Sequence, residues 1–282
     1  MSSPDFTAML WTMKRWIVAL AATAVVSAQA GRADDLPRLT RLADGVYAYE
    51  HVDPTKRGVT VNNLIVVTSQ GVLVADGQGT VDNTTQLVAA VATVTPQPIK
   101  FVVVGSVHGD HRGGDAGFPK DATFIKDKWN ATWDGHQIEV LMLGRAHTGT
   151  DLEVWLPKEK IIYMSEVFSN RVFPSMANGY PTEWVAALKR AEALDAQIYM
   201  PAHAAIDAAK DWKVDWTRDN LKAYRGAIEK VMSEGKKLHD DNVPVDDAVG
   251  RAAWGPFADW TRRAENAAGA LKRVYMELDG AL

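Results

Sequence analysis

Ser106-Val107-His108-Gly109-Asp110-His111-Arg112-Gly113-Gly114-Asp115 is the stretch whose reading decides the fold. His108, Asp110 and His111 are three potential metal ligands packed into one short segment. Just upstream, residues 99–104 form a β-branched run ending at Gly105, the pattern of a buried strand. The polar motif therefore sits on the loop at a strand end, where catalytic groups concentrate. Imidazole and carboxylate suit zinc, with iron or manganese as alternatives. Gly113 and Gly114 allow close backbone approach behind the ligands.

Other strand ends deliver similar groups. His147 follows a run ending at Leu143, Glu166 follows 161–164, and His203 follows 198–200. Strands are also expected at 46–50, 64–68, 71–76, 122–125, 137–143 and 152–156. Apolar spacing predicts helices over 81–94 and, with Thr182 as N-cap, 182–194. After His203 the pattern turns helical, over 210–234 and 260–278, with a turn region at 240–247 between them. This is an α/β chain with extra C-terminal helices.

Composition narrows the chemistry. The chain has 282 residues, seven His and no Cys, with a net charge of −4. It has no disulfides, thiolate metal sites or cysteine nucleophiles. A mildly acidic balance gives no electrostatic footprint for nucleic acid. Lys14 and Arg15, the apolar run 16–26 and Ala28-Gln29-Ala30 read as an export signal over 1–30, cleaved near 30–33. The run is too short to span a bilayer, which takes about 20 apolar residues. The expected product is a periplasmic or secreted chain without a stable membrane anchor. It forms one domain over 34–282, with a helical extension from about 207.

In order and context these motifs resemble the metallo-β-lactamase-fold superfamily of metallohydrolases. Leu73-Val74-Ala75-Asp76-Gly77 resembles that family's early strand and turn. The resemblance implies an αββα sandwich with a metal site at one edge, usually holding two ions. It places His108 and His147 in a first metal site, and Asp110, His111 and His203 in a second. Glu166 stands where the family usually has a bridging Asp, and Ser106 where it has its first His. Serine is a poor ligand at neutral pH. The expectation is one firmly held zinc, with a second weaker or absent.

The function expected from this set is hydrolysis of a small-molecule amide, lactam, ester or thioester by metal-activated water, possible β-lactam cleavage included. Asp110 both ligates and orients the nucleophile. Two alternatives remain open: a periplasmic accessory metallohydrolase linked to sulfur oxidation or quinoprotein systems, and a degenerate, non-catalytic metal-binding protein. His51 and the 54–59 stretch are expected as a loop over the site, and Trp129, Trp133, Phe173 and Tyr180 as candidate pocket walls. His136 and His239 are expected to face solvent. Trp212, Trp216, Trp254 and Trp260 are expected to pack the C-terminal helices together.

Overall fold

The computed structural model describes residues 36–56, 58–206 and 216–282. The export signal and Trp212 lie outside these residues. The first sheet is built from β1 (Arg38–Ala43), β2 (Val46–Val52), β3 (Thr60–Thr68) and β4 (Gly71–Ala75), then β5 (Ile99–Val103) and β6 (Thr123–Ile125), in that spatial order. Its first four strands are antiparallel, whereas β4, β5 and β6 run parallel. Helix α1 (Val81–Ala92) makes the crossover between β4 and β5. Thr80 caps it, its side chain accepting from the Asn83 amide.

A short helix α2 (Gly109–Arg112) follows β5. The second sheet comprises β7 (Trp129–Trp133), β8 (His136–Leu141), β9 (Glu153–Leu156), β10 (Ile161–Tyr163) and β12 (Ile198–Met200), in the order β12-β10-β9-β8-β7. Two-residue strands β11 (Ser169–Asn170) and β13 (His203–Ala204) pair in parallel beside it. Helix α3 (Pro181–Ala193) precedes β12, and α4 (Arg218–Asp240), α5 (Val245–Arg251) and α6 (Arg263–Leu278) complete the chain.

Three apolar clusters define four layers. Val46, Leu64, Leu73 and Val103 of the first sheet meet Ile138, Val154 and Tyr163 of the second. On the outer face of the first sheet, Val72, Val74 and Val102 pack against Leu87 and Val91 of α1. On the outer face of the second, Trp155 and Ile162 join Trp184, Leu188, Tyr224, Val231 and Leu271 of α3, α4 and α6. The architecture is the expected αββα sandwich. Each aliphatic side chain buried this way stabilises the fold by about 2 kcal/mol. Among the described residues no helix is long and apolar enough to cross a membrane.

Several local expectations need correction. Four strands, β1, β7 and the two-residue β11 and β13, were not anticipated. In β7 burial alternates along Trp129-Asn130-Ala131-Thr132-Trp133, and both indoles stack on Phe101 instead of lining a pocket. Thr182 does not cap α3. It binds the Glu277 carboxylate, and Pro181, with its preset φ, starts the helix. Helix α5 begins inside the expected turn region and takes its last three residues, 245–247. Trp216 packs between the sheets, whereas Trp254 and Trp260 do pack with the C-terminal helices. His136 is largely covered and paired with Glu159 at 2.7 Å. His239 is half-buried, 3.0 Å from Asp279.

Glu153 is a buried acid in β9. Its Oε2 accepts from the Leu143 amide at 3.1 Å, while Oε1 has no partner among the described residues. Burial pushes its pKa well above the carboxylate range. Stability from such a group is present below the unfolded pKa, near 4, and is lost as pH rises toward the folded value. Glu153→Gln stays neutral, so its advantage over wild type should grow with pH. Thermal melts at about pH 5 and about pH 8 should show the Tm difference moving toward the variant by several degrees at the higher pH.

Candidate metal centre

Asp76, at the end of β4, organises the site floor. Its φ of 60° places a non-glycine residue in the left-handed region. One carboxylate oxygen accepts from the Gly105 and Ser106 amides at 2.7 and 3.1 Å. The other accepts from the Tyr163 hydroxyl at 2.7 Å and the Ser165 hydroxyl at 2.6 Å. His111 Nδ1 faces that second oxygen at 3.4 Å. A carboxylate behind a ligand imidazole fixes its orientation and leaves Nε2 directed at the metal position.

The motif turns tightly because its glycines permit contact. A Cβ on Gly113 would lie 2.3 Å from the Gly79 carbonyl oxygen, and one on Gly114 2.2 Å from that of Thr80. The motif is thereby pressed onto the start of α1. His108 precedes α2, and Asp110 and His111 lie within it. Glu166 comes from a 3-10 turn over Ser165–Val167, after β10. His147 sits on the β8–β9 loop, braced by Thr148 and Asp151, with the Trp184 indole edge-on at 5.2 Å. His203 Nδ1 meets the Thr60 carbonyl at 2.6 Å, which assigns its proton to Nδ1 and frees Nε2.

All six candidate side chains converge, in two groups that share Glu166. The first holds His108, His147 and Glu166; the second holds Asp110, His111, Glu166 and His203. In the second, His203 Nε2 lies 3.1 Å from Asp110 Oδ2, 3.2 Å from His111 Nε2 and 3.5 Å from Glu166 Oε1. His111 Nε2 lies 3.5 Å from Asp110 Oδ2 and 3.8 Å from Glu166 Oε1. Donors at about 2.0–2.2 Å from a tetrahedral ion are separated by about 3.3–3.6 Å. These four donors therefore fit a tetrahedral ion, and all four residues are buried.

The first group is poorer. His108 Nδ1 lies 3.1 Å from His147 Nε2 and 2.7 Å from Glu166 Oε2. Where a fourth donor would complete it, Ser106 instead hydrogen-bonds Glu166 Oε2. Burial opposes the charge on Glu166, but His147, His111 and His108 outweigh it and hold the acid well below its usual range. Burial and Lys56 oppose protonation of His203, but Asp110 and Glu166 hold its pKa up at about 9. For His147 burial outweighs the nearby Glu166 charge, and the pKa falls to about 4.

Lys56 lies on the 54–59 stretch expected over the site, although the sequence did not single it out. Asp53 curls the 53–56 segment by accepting from the Thr55 and Lys56 amides. The Lys56 ammonium then pairs with Asp110 Oδ2, 3.4 Å from His203 Nε2 and 3.6 Å from Glu166 Oε1. His51, by contrast, lies at the end of β2, within reach of Gln86 on α1. A cavity opens from His147, Glu166 and His203 onto a wall that includes Phe173, Arg262 and Asn266. Phe173 lines it as expected. Tyr180 does not, since its ring carries the Arg145 guanidinium at 4.0 Å.

No family model matches the chain. A metallo-β-lactamase from Pontibacter korlensis superposes with a TM-score of 0.56 at 20% identity, covering 68% of this chain and 98% of its own. The chain has the metallo-β-lactamase fold. The metallo-β-lactamase from Erythrobacter litoralis, solved with β-mercaptoethanol in its active site, gives 0.54 at 19% identity, over 68% and 96% of the two chains. In sequence, the chain is 23% identical over 106 residues to the alpha subunit of 2,4-dinitroanisole O-demethylase from Nocardioides sp. (strain JS1661). That match spans 37% of this chain and about a third, 32%, of the relative.

Lys56 supplies positive charge to the same donors that a cation would engage. Lys56→Met should therefore lower the Tm of chelator-treated protein by several degrees, because buried carboxylates lose their compensation. The same variant should bind zinc about tenfold more tightly in a chelator competition. A lysine with no part in the site would move neither.

Proposed function

We propose that this metallo-β-lactamase-fold chain is an exported metal-dependent hydrolase of a small-molecule ester, thioester, amide or lactam. The observation that carries the reading is the buried four-donor set of Asp110, His111, Glu166 and His203 at the mouth of a cavity. Export rests on the N-terminal signal pattern over 1–30, and the reading places the mature domain, 34–282, in the periplasm or outside the cell. Nucleic acid and a stable membrane anchor have no part in it.

Asp110, His111, Glu166 and His203 would hold one zinc firmly. His108, His147 and Glu166 would hold a second weakly. Bound there, the ion supplies a Lewis acid that polarises the scissile carbonyl and acidifies water. The chain does the rest. The Thr60 carbonyl holds the His203 ring, and the Asp76 carboxylate faces the His111 ring at 3.4 Å. Burial opposes ionisation of Asp110, but the His203 hydrogen bond and His111 keep its pKa far below the usual range. Such a carboxylate is a weak base, suited to orienting the attacking water at Oδ1 more than to storing its proton.

Ser106 favours a single-ion centre. Its bond to Glu166 ties down the shared carboxylate on the side of the poorer group. Zinc-loaded wild type should carry about one ion per chain, and Ser106→His should move that toward two by elemental analysis.

Turnover tests the reaction class. A panel of chromogenic esters, thioesters and cephalosporins should include 2,4-dinitroanisole, the compound in the Nocardioides relative's name. At least one should be cleaved in a chelator-sensitive way, and His203→Ala should reduce that rate by about a hundredfold or more. Zinc binding with no turnover of any member would favour the non-catalytic metal-binding alternative.

A further inference from the structure

The cavity beside the metal centre holds a second cation that the hydrolase reading leaves unused. Arg262 lines the wall built by the C-terminal helices, together with Asn266. It is half-buried, and its side chain has no hydrogen bond or ion pair among the described residues. Three other half-buried arginines are tied down. Arg225 binds Glu192 and Glu229, Arg112 binds Asp115, and Arg38 binds Glu50.

The position of Arg262 is built, not incidental. Thr261 bridges Val172, and its carbonyl accepts from the Phe173 amide at 2.8 Å. The next residue, Arg262, takes φ 63° before α6 begins. A left-handed non-glycine residue is strained, and such strain clusters at ligand sites. Asn266, one turn on, donates to the Phe173 carbonyl at 2.7 Å and closes the same corner.

The guanidinium itself points to the ligand class. An anionic oxygen group suits a planar, unpaired guanidinium fork on a cavity wall.

We infer that the substrate carries an anionic oxygen group, a carboxylate or its sulfonate or phosphate analogue, and that Arg262 receives it. This rests on the metallohydrolase reading and adds the charge of the substrate. The apolar side chains of Val59, Val172 and Phe173 line the same cavity and would meet the uncharged part.

The test is binding of succinate, with neutral succinamide as its control, measured by calorimetry on zinc-loaded full-length protein. Succinate should bind at least tenfold more tightly than succinamide. Arg262→Gln should abolish most of that preference, and Arg262→Lys should restore part of it, keeping charge but losing the fork. Zinc content and Tm of each variant show whether the centre and fold are intact. Equal binding of the two probes, or a succinate affinity unchanged in Arg262→Gln, would overturn the inference, the latter by placing succinate on the metal alone. Paired 4-nitrophenyl esters, the acetate and the hemisuccinate, separate the two readings. Equal chelator-sensitive turnover of both would sink the anionic substrate and keep the hydrolase. No zinc uptake and no turnover would sink the hydrolase itself.

Discussion

Asp76 is the constraint on which the rest depends. A buried carboxylate is tolerated only when donors surround it, and this one gathers them from both sheets. Gly105 and Ser106 come from the end of β5, Tyr163 from β10 and Ser165 from the turn after it. The strand ends that carry the motif and Glu166 are thus drawn to a single point. His111 faces the same oxygen, so the hydrogen bonds that join the layers also orient a candidate ligand. Backbone strain gathers here too, with Asp76 and Ser165 both at positive φ.

Much of this was legible in the sequence because its signals are local. The buried strand 99–104, the dense motif behind it and the strand-end residues His147, Glu166 and His203 each read from a few neighbours. What escaped depends on distant partners. Lys56 falls on the 54–59 stretch expected over the site, but its partner Asp110 is far in sequence, so the residue itself was not singled out. Asp76 read as part of a turn, since its donors arrive from β5 and β10. Trp129 and Trp133 were misplaced because large aromatics suit a pocket and a sheet face equally, and only the pairing of β7 with β8 decides. Trp216 went to the wrong core because the apolar pattern cannot say which of two layers a flanking residue enters.

The C-terminal helices are part of the sandwich and not an appendage. Tyr224, Val231 and Leu271 share one apolar cluster with Trp155 and Ile162 of the second sheet and with Trp184 of α3. The same helices reach the cavity through Tyr224, Arg262 and Asn266. One layer therefore supplies both the cover of the sheet and a wall of the site, so stability and specificity cannot be altered independently there.

The smallest sheet has a larger consequence. In the β11–β13 pair, Ser169 lies opposite His203, and Ser169 and Tyr224 of α4 line the same cavity. A candidate metal-ligating imidazole, a cavity-lining serine and a helix of the outer layer thus meet at one wall. Thermodynamic linkage makes any coupling across that wall reciprocal. If a molecule filling the cavity tightens the grip on the ion by some factor, the ion tightens the grip on that molecule by the same factor. Any such coupling would run through two residues of strand held to two others.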